Sequence, residues 1–248
     1  PGTFSSGNWG WKLENVVCLL CSCSSKKYLA EDEFLLDKVS ISVDSSEISP
    51  SMLSGYVRQQ PNSRWVSVVK LPLGIYLMSS PKSNNGLNRF LRKMGEAPVV
   101  YDSALSERSK VRIHDAMFNM GYLHAKVCTR ETYEGHKVRV HYDVSAGMRY
   151  YVDSIHLDVA DTVIAKEMDK VADATLLKKG MPFDANILNQ ERSRIPAYMN
   201  DNGYYTFNRD FIRYVADTVE GDHRVHLRML VSEYVDPAVN ESRRHQKY

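Results

Sequence analysis

The sequence predicts an α+β protein built from two copies of one strand–helix–helix–strand–strand module. Three observations lead to this prediction: the same order of hydrophobic periodicities occurs twice, one helical stretch recurs, and each copy closes with a Glu-Gly turn between two strands. Three strands with two helices on one face make a minimal two-layer sandwich. The two strands of the closing hairpin must be antiparallel. Two helices separate the first strand from this hairpin, so the first strand can run parallel to the last strand of the module. Each sheet is therefore expected to be mixed.

The recurring helical stretch covers residues 95–122 and again residues 180–204. An aspartate is expected to cap each helix, and a glycine to end it in the left-handed conformation that suits this residue. The copies are 82 residues apart (184 − 102), which suits a small domain better than a solenoid repeat. The aligned positions are Asp102 with Asp184, Gly121 with Gly203, and Tyr122 with Tyr204.

The first module is assigned to residues 37–147. Val39, Ile41 and Val43 alternate with polar residues as in a half-buried strand, and a helix is expected to begin at Pro50. Residues 62–94 are interpreted as an irregular insertion. After the capped helix, two strands are expected on either side of Glu134-Gly135.

The second module is assigned to residues 148–235 and repeats this order. Its last two strands are expected around residues 207–215 and beyond Glu220-Gly221. The distance from Val43 to Gly121 is 78 residues, and that from Val159 to Gly203 is 44. The first module therefore carries 34 additional residues (78 − 44). Residues 236–248 are expected to link to a third module.

The totals are those of a soluble globular protein of two small domains. The chain has 248 residues, of which 43% are hydrophobic and 25% are charged. The net charge is only +2 and basic residues are interleaved with acidic ones, so the composition offers no case for a nucleic-acid partner.

Residues 1–36 differ from the rest and are interpreted as a signal-like segment followed by a disordered linker. The apolar run at 16–23 is far too short to span a bilayer, and Leu20-Cys21-Ser22-Cys23 resembles a bacterial lipobox, in which Cys23 would carry the lipid. A disordered tail with incidental cysteines is the alternative. A metal site is weaker, because the three cysteines here have no second cluster of ligands to complete a tetrahedron.

In each predicted sheet the leading strand of the hairpin lies at an edge, where its backbone N–H and C=O groups are open to a visiting strand. Two sets of residues mark these candidate edges. They are Ala125, Val127 and Thr129 in the first module, and Phe207, Arg209 and Phe211 in the second.

The order of elements resembles the polypeptide-transport-associated (POTRA) domain, found in tandem in the BamA/TamA outer-membrane assembly and translocation family. The resemblance covers residues 37–235 and is strongest in the second module, at Gly180-Met181-Pro182-Phe183-Asp184 and Asn202-Gly203-Tyr204-Tyr205. With the lipobox-like segment, the chain most resembles the lipoprotein subgroup of TamA from Bacteroidetes-type bacteria, called TamL. The insertion in the first module departs from the family pattern.

The resemblance implies a non-enzymatic scaffold in the periplasm that belongs to an outer-membrane protein. Such a scaffold hands substrate polypeptides or partner proteins to its own C-terminal barrel, and it binds them by strand addition. The resemblance implies no catalytic residue, no cofactor and no metal. Cys23 would anchor the protein to the membrane.

Two other functions are compatible with the sequence. One is a general periplasmic interaction or cell-division scaffold without a barrel. The other is an enzyme that uses Cys128 and His141, although Cys128 is better explained as a small buried residue of a strand. The strand histidines occur at odd spacings, which favours single solvent-facing side chains over a zinc pair.

Overall fold

The computed structural model describes residues 25–64, 70–218, 221–236, 241–243 and 245–247. This part of the chain divides into two compact units. The first unit consists of the described residues up to Ile113 together with Val127–Val144. The second consists of His114–Lys126 and the described residues from Ser145 onward. Each unit contains one three-stranded mixed sheet, which confirms the predicted α+β class.

The first sheet contains strands β1 (Leu35–Val43), β2 (Lys126–Glu134) and β3 (Lys137–Ser145), in the order β1-β3-β2. Strand β1 runs parallel to β3. Strands β2 and β3 are antiparallel, because a two-residue turn joins neighbouring strands. The order leaves β2 at one border of the sheet, as predicted.

Helices α1 (Pro50–Ser54) and α4 (Ser103–Asn119) accompany the first sheet in sequence. Helix α1 begins at the predicted proline and ends at Ser54, and Leu53 is its fully buried residue. Helix α4 is the capped helix of the first copy, and the boundary between the two compact units falls inside it, after Ile113.

The segment predicted as an irregular insertion contains two further helices, α2 (Leu71–Met78) and α3 (Gly86–Met94). The prediction of irregular structure was therefore wrong for this part. A proline and an asparagine, which are common in loops, here stand at the starts of the two helices. Pro72 occupies the first turn of α2, and the side chain of Asn85 accepts a hydrogen bond from the N–H of Asn88 at the start of α3.

The second sheet contains β4 (Tyr151–Val159), β5 (Ile212–Thr218) and β6 (Arg224–Val231), in the order β4-β6-β5. Strand β4 is parallel to β6, and β5 is antiparallel to β6. Helices α5 (Thr162–Asp169) and α6 (Ala185–Asp201) complete the module.

The two helices of the second module cover a core that continues along the whole sheet. At one end the buried side chains include Ile164, Ile195, Met199 and Ile212, and at the other they include Val152, Leu188 and Leu227. Ile195 and Met199 are four residues apart on α6, so the same helix face carries both. This face of the helix is therefore the one that packs into the core.

The segment after residue 235, predicted as a linker to a third module, contains part of a short hairpin, and its role as a linker stays a prediction. Strands β7 (Tyr234–Asp236) and β8 (Glu241–Arg243) pair antiparallel. His245 is 4% exposed, and its ring contacts Phe207 and Phe211 at centroid distances of 4.9 and 4.7 Å. Aromatic contacts of this kind attach the end of the described chain to the second unit.

Equivalent backbone hydrogen bonds recur in the two modules at constant offsets. Equivalent residues of the first strands differ by 116 in sequence number between the two modules (152 − 36). Equivalent residues before the capped helices differ by 82 (181 − 99). The difference, 116 − 82 = 34, equals the predicted length of the insertion. The matched bonds include Leu36 N to Val99 O (2.8 Å) with Val152 N to Met181 O (2.9 Å), and Tyr101 N to Phe34 O (2.7 Å) with Phe183 N to Tyr150 O (2.9 Å).

Each first strand also carries a β-bulge at an aspartate, which the sequence pattern did not predict. The register shifts at Asp37 in β1 and at Asp153 in β4. Asp37 pairs with Lys70 and Arg139, both at 3.0 Å, and Asp153 pairs with Arg224 at 3.2 Å. The bulge breaks the alternation of β1. For this reason the sequence pattern assigns Leu35 and Leu36 to the linker, although both are buried and belong to the strand.

Candidate functional site

The candidate sites are the two sheet borders formed by β2 and β5, because the sheet orders place these strands outermost. The opposite borders, β1 and β4, are occupied at their starts by the segments before the capped helices. Leu35 bridges Val100 there, and Tyr151 bridges Pro182. The chain thus uses part of one border of each sheet itself, and the remaining candidates for strand addition are β2 and β5.

The first candidate border, β2, contains two of the three residues predicted for it. Val127 and Thr129 lie in the strand, and Ala125 lies just before its start. Ala125 and Val127 are buried, so they anchor the strand to its own sheet. From Arg130 onward every residue of the strand is exposed, which leaves its far half accessible.

Two tyrosines share one carboxylate at the exposed half of β2. Tyr133 donates to Glu131 Oε2 at 2.6 Å, and Tyr101 donates to Glu131 Oε1. The ring of Tyr133 also contacts Phe34 edge-on, at 4.9 Å between centroids. The hydrogen bond to Glu131 raises the pKa of the Tyr133 hydroxyl, so this side chain remains a neutral donor. The strand end is thereby tied to residues from elsewhere in the first unit.

The second candidate border lies further along the chain than predicted. Phe207, Arg209 and Phe211 precede the strand: Phe207 is 1% exposed in a connecting segment, and Arg209–Phe211 form a 3-10 turn. The strand itself is β5, Ile212–Thr218. The prediction was wrong because the aromatic residues of this stretch fill the core and contact His245, whereas their spacing suggested a strand.

A groove of about 410 Å³ runs beside β5, between this strand and helix α6. Two polar atoms on it, Tyr214 Oη and Arg192 Nε, are buried and have no hydrogen-bond partner among the described residues. Burial raises the pKa of the Tyr214 hydroxyl, which therefore stays protonated and able to donate. The groove is lined by Ala185, Leu188, Asn189, Arg192, Asp210, Ile212, Arg213 and Tyr214.

Buried polar groups without partners are costly, so these two atoms are donors whose hydrogen-bonding capacity is left unused by the described residues. The sequence pattern predicted neither residue. Leu188 and Arg192 stand four residues apart on α6, and this spacing was the one available sign that both face the same neighbour.

The motif residues shared by the two copies occupy equivalent helix ends. Asp102 Oδ1 accepts from Ala104 N at 2.8 Å, and Asp184 Oδ1 accepts from Asn186 N at 2.8 Å. Gly121 and Gly203 have φ of 93° and 95°. Tyr122 N donates to Met117 O at 3.0 Å, and Tyr204 N donates to Met199 O at 2.9 Å, which is the Schellman arrangement of a helix end. Both tyrosines are buried. These residues shape the modules and lie outside the groove.

Cys23, the predicted lipid-bearing residue, lies outside the described residues. The lipobox interpretation therefore stays a prediction from the sequence. Among the described residues, no helix is both long enough and apolar enough to cross a membrane.

The two residues named for an enzyme both lie in the first sheet, Cys128 in β2 and His141 in β3. Cys128 is exposed, so the expectation of a buried side chain was wrong. His141 Nδ1 lies 2.8 Å from Ser40 Oγ, and its Nε2 lies 3.1 Å from Asp143 Oδ1. Arg130 donates twice to Asp143, and this pairing lowers the pKa of the carboxyl to about 2.

Ser40, His141 and Asp143 are the residue types of a hydrolytic triad, but their surroundings differ from those of a triad. The carboxylate here is already neutralised by a guanidinium, and the cluster lies across neighbouring strands on the face of a sheet. It is best described as a hydrogen-bond ladder between strands. Among the described residues, no group of three or more His, Cys, Asp or Glu side chains is placed to hold a metal ion.

Comparison with known proteins finds likeness in structure only. No protein-family model matches the chain, and no curated protein sequence matches it. A structure of POTRA domains 3–5 of BamA from Haemophilus influenzae is 16% identical, with a TM-score of 0.45, and the match covers 89% of this chain and 82% of that one.

Two further structures illustrate the range of these neighbours. POTRA domains 1–2 of the periplasmic domain of Omp85 from Anabaena are 14% identical, with a TM-score of 0.37, over 81% of this chain and 96% of that one. BamA from Haemophilus ducreyi lacking POTRA domains 1–3 is 17% identical, with a TM-score of 0.41 over 81% of this chain. The match spans only 30% of that protein.

Proposed function

We propose that this chain is a POTRA-type scaffold that binds extended polypeptides by adding them as a strand to β5. The observation that carries the proposal is the groove beside β5, with two buried polar atoms that lack partners among the described residues. Strand addition relies on main-chain hydrogen bonds, which every peptide offers, and on a groove for alternate side chains. Such a site tolerates many sequences and suits a protein that handles diverse clients.

The repeated module supports the same proposal. Each unit builds an equivalent sheet with equivalent hydrogen bonds, and in each the leading hairpin strand forms a border. Strand β2 is therefore proposed as a second, weaker site, because Val127 is buried in the protein and a continuous run of exposed residues begins only at Arg130. Neither site requires a cofactor or a catalytic residue.

The wider setting of the proposal rests on the sequence resemblance. We place the modules in the periplasm, on a polypeptide that continues into an outer-membrane barrel and is anchored through a lipid on Cys23, as in the TamL subgroup. The coding sequence after codon 248 tests the barrel: repeated strands of alternating hydrophobicity are expected there. Metabolic labelling with a fatty-acid probe tests the anchor, and labelling that persists in Cys23→Ser would refute it.

The test of strand addition is a peptide titration followed through the backbone amide signals of the protein. The probe is a ten-residue peptide of alternating apolar and polar residues, and the expected result is a change at the amides of β5 and at Arg192 and Tyr214. The matched control is the same peptide N-methylated at every second residue, which keeps its side chains and removes half of its main-chain donors. Two such peptides are used, one methylated at the odd-numbered residues and one at the even-numbered residues. One of them should fail to bind and the other should still bind.

A variant of the groove provides a second readout. Tyr214→Phe removes a hydroxyl that has no partner among the described residues, so the unliganded protein should keep its stability while peptide affinity falls several-fold. Tyr198→Phe makes the same change at a tyrosine that packs against the same core cluster but does not line the groove, and it should leave affinity unchanged. Equal binding of all N-methylated peptides, or signal changes confined to residues away from β5, would contradict the proposal.

A further inference from the structure

Helix α3, in the inserted segment, presents an apolar stripe that the described part of the chain leaves open. Leu87, Phe90 and Met94 are 66%, 59% and 59% exposed. They recur at intervals of three and four residues, so they lie on one side of the helix. Helix α3 contains no buried residue. Large apolar side chains exposed together on one helix mark a contact surface for a partner.

The opposite side of α3 explains why this stripe stays open. Asn88 Oδ1 accepts from Ser80 N at 2.8 Å, and Arg92 donates to Ser80 O at 2.9 Å. Asn88 and Arg92 are four residues apart and share a face, so this face attaches α3 to the segment that precedes it. The attachment is polar, and it fixes the orientation of the helix without using its apolar stripe.

Two cations, Arg89 and Lys93, lie on the same helix as the stripe, and Lys82 precedes the helix in sequence. Lys82, Arg89 and Lys93 are exposed, and their side chains make no ion pair or hydrogen bond within the described part of the chain. Arg89 and Lys93 are four residues apart and form their own row along α3. The exposed surface of the helix is thus half apolar and half cationic.

The sequence around α3 strengthens this asymmetry. Between Asn62 and Gly95 there are six basic residues and no acidic one, whereas the whole chain has a net charge of +2. The rest of the chain therefore carries a net charge of −4 (2 − 6). The expectation that basic residues are interleaved with acidic ones was wrong for this segment, because the total concealed a strongly cationic insertion.

We propose that helix α3 lies on a bilayer surface that contains anionic phospholipid. A helix with apolar residues on one side and lysine or arginine beside them is the form that rests in the headgroup layer, where the apolar side chains reach the acyl boundary and the cations meet lipid phosphates. Charge complementarity selects an anionic lipid surface. The apolar stripe favours lipid over a nucleic acid, whose phosphates would leave Leu87, Phe90 and Met94 exposed to water.

A single helix of nine residues gives weak and reversible attachment, which suits a second contact of a protein held near a membrane by other means. The surface uses residues that neither candidate border contains. Membrane binding by α3 and peptide binding at β5 can therefore succeed or fail separately.

The test is flotation of the full chain with lipid vesicles. The chain carries Cys23→Ser, so that no lipid anchor contributes, and the vesicles contain phosphatidylcholine alone or with roughly one-third phosphatidylglycerol. Binding is expected only to the anionic vesicles, and it should weaken as salt is raised. Arg89→Gln combined with Lys93→Gln should weaken it about 25-fold, since each cation near an anionic surface contributes about fivefold.

Matched variants separate the patch from the total charge. Lys166→Gln with Lys178→Gln removes two exposed cations from the second unit and should leave vesicle binding within about twofold of the parent. Phe90→Ala should weaken binding about tenfold, whereas Met148→Ala, at a residue that is 63% exposed elsewhere, should not. All these positions are exposed, so unfolding midpoints should be unchanged.

Two results would overturn the proposal. One is no flotation with anionic vesicles at low salt and millimolar lipid. The other is flotation that Phe90→Ala and the Arg89/Lys93 double variant leave intact. In the first case, retention of the chain on an oligonucleotide would assign the cationic surface to nucleic acid.

Discussion

At the scale of single residues, Asp184 shows most directly how the repeated motif stabilises the fold. Its carboxylate accepts the hydrogen bond of Asn186 N at the start of α6. Asp184→Ala removes this acceptor and should lower the free energy of unfolding by about 1 kcal/mol, as measured in urea. Asp184→Asn keeps a side-chain acceptor and should lower the free energy of unfolding by only about a few tenths of a kcal/mol. Equal losses in both variants would contradict a capping role.

Glu191 is the second informative residue, because a carboxylate that is 1% exposed requires partners. Arg194 donates to both of its oxygens at 2.7 and 2.8 Å, and Thr175 and Leu176 N donate to them at 2.9 and 3.2 Å. Burial by itself would raise the pKa of Glu191, but these hydrogen bonds outweigh it and lower the pKa below 4.5. The carboxylate thereby ties the segment before α6 to the helix.

The lowered pKa of Glu191 predicts the direction of a pH effect. The ionised carboxylate stabilises the folded state fully above the unfolded pKa of about 4.5, and this stabilisation is lost as the pH falls through the lower folded pKa. Glu191→Gln should therefore cost about 2 kcal/mol at pH 7, and progressively less as the pH falls below about 4.5. Urea unfolding at several pH values measures this. Glu107→Gln, at an exposed ion pair, is the control and should show a loss below about 0.5 kcal/mol throughout.

At the scale of elements, the sequence predicted strands and helices well where their periodicity was unbroken. Val39 to Val43 and Val225 to Met229 alternate cleanly between apolar and polar residues and lie in strands. The prediction failed where tertiary contacts overrode the local pattern. Phe207 has the spacing of a strand residue but fills the core in a connecting segment, and the bulge at Asp37 disguised the start of β1.

The two inserted helices should differ sharply in their sensitivity to mutation. Leu73 on α2 is 5% exposed and packs with Leu35 and Leu77, whereas Leu87 on α3 is 66% exposed. Leu73→Ala should lower the free energy of unfolding by about 2–4 kcal/mol, and Leu87→Ala by less than about 0.5. Chemical denaturation of the two variants makes the comparison. A large loss in Leu87→Ala would show that the apolar stripe of α3 packs within the protein.

Strand β2 offers a chemical test of its predicted accessibility. Cys128 lies in this strand and is exposed, so its thiol should react with a maleimide in the native protein nearly as fast as in urea. The measurement uses a variant in which Cys18, Cys21 and Cys23 are replaced by serine. Protection of Cys128 in the native state would show that this border is covered, and β2 would no longer be a candidate for strand addition.

At the scale of the whole molecule, the duplication was the feature best predicted from sequence, because both copies keep 19 residues between the capping aspartate and the glycine (121 − 102 and 203 − 184). The groove beside β5 could not be predicted. It is formed by side chains of α6 and β5 that carry no motif, and only the packing of helix on sheet brings Arg192 and Tyr214 to one place. The limits of the compact units were equally hidden, since no sequence signal marks a boundary inside a helix.

The second compact unit includes His114–Lys126, which the repeat assigns to the first module. Within this unit Tyr150 N donates to Gly121 O at 2.9 Å, and Arg149 Nε donates to Met120 O at 3.0 Å. The Tyr150 hydroxyl also lies 2.9 Å from His124 Nε2. A fragment of residues 148–247 keeps the whole repeat unit but loses all three partners. Its stability should therefore be lower than that of the same residues in the full chain.

Amide hydrogen exchange can detect this loss at a single residue. The amide of Tyr150 should exchange slowly in the full chain, because Gly121 O accepts its hydrogen bond, and rapidly in the fragment. The amide of Leu227, in the central strand β6, serves as the internal control and should be protected in both whenever the fragment is folded. Equal protection of Tyr150 in the two proteins would show that the repeat unit is complete by itself and that residues 114–126 contribute nothing to its stability.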